Sequence, residues 1–95
     1  MTTLFGEVIA TTDFLVVIGG NAPHGPVKLV FTENQPADIE GQRVSFRGEF
    51  ADENFVVRKS ATHERIAERA FTLSLASPFA SAEENWLRAE DELLS

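Results

Sequence analysis

The stretch "RVSFRGEFADENFVVRKS", Arg43 to Ser60, decides the fold. Val44, Phe46, Gly48 and Phe50 alternate strictly with Arg43, Ser45, Arg47 and Glu49. That period of two is the pattern of a strand with one buried face. "ADEN" supplies a tight turn of acids and Asn, and "FVVRKS" returns with Phe55 and Val57 inward and Val56 and Arg58 outward. The stretch is therefore a β-hairpin. It also carries Arg43, Arg47, Arg58 and Lys59, half of the eight basic residues in a chain of net charge -7.

Upstream, the chain continues to read as strands. "TLFGEVIAT" alternates, with Leu4, Gly6, Val8 and Ala10 on one side. Thr12-Asp13 is a short break before "FLVVIGG", which is β-branched and apolar on both faces. "GGNAPHGP" is a loop, and "VKLVFT" is a third strand with Val27, Leu29 and Phe31 on one face. In "ENQPADIEGQ", Pro36 removes a donor and restricts Gln35. Asp38 to Glu40 suit one helical turn ended by Gly41.

Downstream, two readings of residues 63–76 stand. "THERIAERAF" has helical spacing, while "FTLSL" alternates like a strand. Either a helix precedes a strand, or one helix runs to about Ala76, and Pro78 ends whichever forms. Ser81 with Glu84 is a capping box. Beyond it Ala82, Trp86, Ala89 and Leu93 recur at helical spacing, with Leu87 and Leu94 beside them. The segment is an amphipathic, acidic helix: from Ser81 to Ser95 five acids face one base, Arg88.

Five short strands, a Pro-containing connection before the fourth and a closing hairpin resemble an OB-fold, a five-stranded Greek-key barrel. The specific likeness covers about residues 27–63, with Gly41 before the fourth strand and Gly48 inside it. It is similar to the single-strand-binding and tRNA-anticodon-binding modules of that fold. The expected organisation is an OB-like, mainly β barrel over residues 1–78 and a C-terminal acidic amphipathic helix over 79–95.

Bulk properties bound the function. Ninety-five residues make one domain with a modest core. Without cysteine there is no disulfide, thiol nucleophile or thiolate metal site. The opening "MTTLFGEVIA" is not a signal peptide, because it has no basic n-region and Glu7 interrupts it. A cytoplasmic, non-enzymatic protein with no membrane contact is expected. The acidic balance disfavours tight, sequence-independent binding to a phosphate backbone.

The resemblance implies a single-stranded DNA- or RNA-binding role for Lys28, Arg43, Arg47, Arg58 and Lys59, several of them on strands such modules use. Alternation sets Arg43 and Arg47 on one face, where the alternative is cross-strand pairing with Glu7, Glu49 or Glu53. The exposed aromatic partners that such modules stack on bases are few here, Phe5 and Phe14. The helix residues Trp86, Leu87, Leu93 and Leu94 either pack on the barrel or meet a protein partner or a second copy. A scaffold subunit of a larger complex, using the barrel edge or this helix, is the alternative function. The acidic tail also suits competition with nucleic acid for the basic face, and its loss is then expected to strengthen binding.

A weaker likeness involves Pro36, Asp38, Glu40-Gly41-Gln42 and His63-Glu64, which are similar to the bacterial haem chaperone of cytochrome c maturation. There a His just after the barrel attaches haem, and a Tyr follows it; this sequence has no Tyr. The other expectation for His63 is a first-turn helix residue capped by Thr62. His24 and His63 have no metal-ligand spacing, so no metal, cofactor or catalytic residue is expected.

Overall fold

The computed structural model describes residues 1–22, 25–32, 35–36 and 39–95. Five strands come first: β1 (Thr2–Ala10), β2 (Leu15–Ile18), β3 (Val27–Phe31), β4 (Arg43–Ala51) and β5 (Asn54–Thr62). Two helices follow, α1 (His63–Ala76) and α2 (Ala82–Leu94). The strands close into a barrel in the order β1-β2-β3-β5-β4, with β3 parallel to β5 and every other pair antiparallel. The chain is thus a closed, OB-like barrel with an appended helical hairpin.

The alternation seen in the sequence fills the barrel. Leu4, Val8, Val17, Leu29, Val44, Phe46, Phe55 and Val57 form one buried cluster, with Ile39 from the Pro-containing connection added to it. Where one helical turn was expected over Asp38 to Glu40, the described residues show a tight turn at Glu40–Gly41, closed by Gln42 N donating to the Ile39 carbonyl, with Gly41 at positive φ; Asp38 lies outside the described residues. The β4–β5 ladder runs Phe50↔Phe55 to Gly48↔Val57, then resumes at Arg47↔Lys59. Arg58 is the extra residue of this bulge, which adds bend and twist to the pair. Gly48 sits at the bulge, where a Cβ would stand 1.9 Å from the Val56 carbonyl oxygen. Only glycine lets the backbones approach so closely.

Residues 63–76 form one helix, the second of the two sequence readings. Thr62 Oγ1 accepts from Arg65 N at 3.3 Å, and Ser81 Oγ from Glu84 N at 3.1 Å, so both helices start at capped N-termini. The helices share a second core of Ala61, Ile66, Leu73, Ala89 and Leu94, with Trp86 and Leu93 packed against it. The barrel strands end at Thr62, and both helices contribute to the second core. The molecule measures 44 × 24 × 23 Å. Neither helix is long and apolar enough to cross a membrane.

Candidate nucleic-acid interface

The bulge sets the geometry of the basic residues. Arg47 and Lys59 are opposite one another on the ladder, and Arg58 is displaced beside them. All three line one open cavity of about 560 Å³ with Thr3, Thr32, Asp91 and Leu94. Arg47 is held on two sides. Its Nε and Nη2 donate to Thr3 Oγ1 at 3.4 and 3.3 Å, and its Nη1 donates to Asp91 Oδ1 at 2.8 Å. Thr3 is itself fixed, because the Asn21 amide donates to the Thr3 carbonyl at 2.9 Å and accepts from Phe5 N at 2.7 Å. Among the described residues, Arg58 and Lys59 have no carboxylate within ion-pair distance. Two free cations and one tethered guanidinium in a single cleft suit a phosphate-bearing ligand.

Arg43 and Arg47 share a face of β4, as the alternation requires, yet they do not form one patch. Ser45 lies between them and is fully buried under the hairpin. Its Oγ donates to Glu90 Oε2 at 2.8 Å and lies 3.1 Å from His63 Nε2. A neutral imidazole carrying its proton on Nε2 completes a chain from His63 through Ser45 to Glu90. The serine, not the histidine, is the middle member, so its proton is committed to the carboxylate. That order ties the barrel to both helices and is not the arrangement of a nucleophilic triad. The His63 ring also packs edge-on against Trp86 at 5.2 Å. Burial holds its pKa below the ordinary imidazole value; Glu90 opposes this and Arg43 adds to it.

The remaining expected positions lie elsewhere. Arg43 is exposed opposite Glu7 at the start of β4. Lys28 is on β3 opposite Asn54, with its Nζ 4.7 Å from the centre of the Phe14 ring. Lys28 is the one expected residue on the β2–β3 face that OB-like barrels commonly use; Arg47, Arg58 and Lys59 lie off that face. Arg47 pairs with Asp91 rather than with Glu7, Glu49 or Glu53. Trp86 and Leu93 are half-buried and Leu94 buried within the chain's own helical core, which leaves Leu87 as the exposed member of that set. His63 opens α1 behind the Thr62 cap but is half-buried rather than exposed. His24 lies outside the described residues, and among those described no group of three His, Asp or Glu forms a metal site.

Thr3, Ser45, Glu90 and Asp91 were not singled out by the sequence. The available signal was the run Glu90-Asp91-Glu92 on an amphipathic helix. Successive helical residues point about 100° apart. Here Glu90 meets Ser45, Asp91 meets Arg47 and Glu92 meets Arg69 of α1 at 2.6 Å. No family model matches the chain, and neither a curated protein nor a solved structure matches it.

Proposed function

We propose that the protein is a non-enzymatic, OB-type accessory module of the cytoplasm that holds a short single-stranded stretch of DNA or RNA by its phosphates. The observation that carries this reading is the cleft in which Arg47, Arg58 and Lys59 converge. Basic side chains on an open surface suit a phosphate backbone rather than a buried small molecule. Asp91 occupies one guanidinium nitrogen of Arg47, so the C-terminal helix stands in for a phosphate until the strand arrives. The chain's net charge of -7 sets the long-range field against a polyanion, which keeps binding weak and local.

Fluorescence anisotropy with a labelled oligothymidylate tests this. Three phosphate contacts on a single strand give a log–log salt slope of about -2, hence roughly 15-fold weaker binding between about 50 and 200 mM salt. Binding with that slope supports the reading; no binding at high micromolar protein in low salt refutes it.

A further inference from the structure

We propose that the helical hairpin docks on a second copy of this chain, making a two-fold dimer through the face that carries Phe71, Leu75 and Phe79. This stands independently of the nucleic-acid reading. α1 turns Ile66 and Leu73 into the helical core. Phe71 and Leu75, four residues apart, share another face of the helix and are 66% and 70% exposed. Phe79, in the turn between the helices, is fully exposed. Beside this ridge a groove of about 290 Å³ opens between α1 and α2, where Ala67, Ala70, Ser74 and Ala82 are too small to fill it.

A ridge and a groove on one surface are what an isologous contact needs, since each copy's ridge can enter the other's groove. Asn85 lines the groove at 3% exposure, and its Oδ1 has no hydrogen-bond partner among the described residues. At about 200 Å² for a large side chain, the three ridge residues expose roughly 450 Å² per copy. Two ridges give roughly 900 Å², and the groove walls bring the total to about 1,000 Å², the area a specific interface must clear. Neither the ridge residues nor the groove lining belongs to the Arg47 cleft, so the dimer leaves that cleft open.

Two copies of charge -7 repel, and salt screens that repulsion. Self-association therefore strengthens with salt, opposite in sign to oligonucleotide binding. Light scattering on the full chain, from low to high micromolar and at two salt concentrations, reads the outcome. The expected result is a shift from 10.5 kDa towards twice that mass, favoured by salt. Leu75→Glu and Phe79→Glu, both at exposed positions, are expected to stay monomeric with unchanged circular dichroism and unchanged oligonucleotide affinity. A wild-type chain that remains monomeric throughout, or a dimer that survives both substitutions, overturns the proposal.

Discussion

Arg47 Nη1 lies 2.8 Å from Asp91 Oδ1, and this contact joins β4 of the barrel to the last turns of α2. The arginine side chain is 20% exposed and the aspartate 71%. A pair so open to water contributes little to stability, about 0–1 kcal/mol. Its consequence is for binding: it decides whether the guanidinium is available to a ligand.

Asp91→Ala therefore releases Arg47 at almost no cost to the fold. Oligonucleotide affinity is expected to rise about threefold, an effect of well under 1 kcal/mol of the size of an exposed pair. Unfolding by urea should show a change within about 1 kcal/mol. Weaker binding in the variant would mean that Asp91 orders the cleft rather than occupying it. Removing Ser81–Ser95, the change the sequence suggested, is a poorer test. It would also strip Ala89 and Leu94 from the second core.

Arg58→Ala with Lys59→Ala removes the two cations of the cleft that have no carboxylate partner among the described residues. The salt slope should become shallower by about 1.4, at about 0.7 per phosphate contact on a single strand. Lys28→Ala, at the Asn54 end of the β3–β5 ladder and outside the cleft, should leave the slope unchanged. A slope insensitive to the double variant would place the phosphates elsewhere.

Gly48→Ala drives a Cβ against the Val56 carbonyl oxygen, a backbone atom that cannot swing aside. Overpacking of this kind costs about 1–3 kcal/mol, and a clash with backbone puts this substitution at the upper end. The check is the urea midpoint of the variant. A midpoint within error of wild type would show that the β4–β5 bulge adapts freely.

His63 links stability to pH. Its folded pKa is depressed, chiefly by burial, so the unfolded chain takes up the proton more readily. The associated stability is present above the ordinary imidazole value of about 6.5 and is lost as pH falls through the lower folded value. His63→Gln keeps an amide donor in reach of Ser45 and does not titrate. The slope of unfolding free energy between about pH 8 and 5 should be smaller in the variant. Equal slopes would mean that His63 is not the linked group. Glu92 acts lower in the scale: the hydrogen bond from Arg69 holds its carboxyl below the usual range, so its share is lost only in acid.

The barrel was legible because its determinants are local. Alternation in Val44–Phe50, the Gly48 kink and the turn at Asp52-Glu53 read directly as β4–β5, and the Ser81–Glu84 cap marked α2. The ambiguity at 63–76 has a physical cause. Phe71 and Leu75 lie on an uncovered helix face while Leu73 is buried, so apolar residues recur every second position and imitate a strand. The cleft was legible only in part. Alternation gave the side of Arg47 and the exposure of Arg58. The bulge that brings Arg58 and Lys59 together with Arg47, and the roll of α2 that seats Glu90 on Ser45 between the two arginines, depend on tertiary packing. No short-range pattern encodes them.

Phosphates are expected to sit where Arg47, Arg58 and Lys59 converge. Amide shift mapping by nuclear magnetic resonance, during titration with a short oligothymidylate at low salt, tests it most directly. The expected shifts are concentrated at Thr3, Arg47, Arg58, Lys59 and Asp91. Shifts confined to Phe14, Lys28 and Val30 on the β2–β3 face, or no shifts at all, would contradict it.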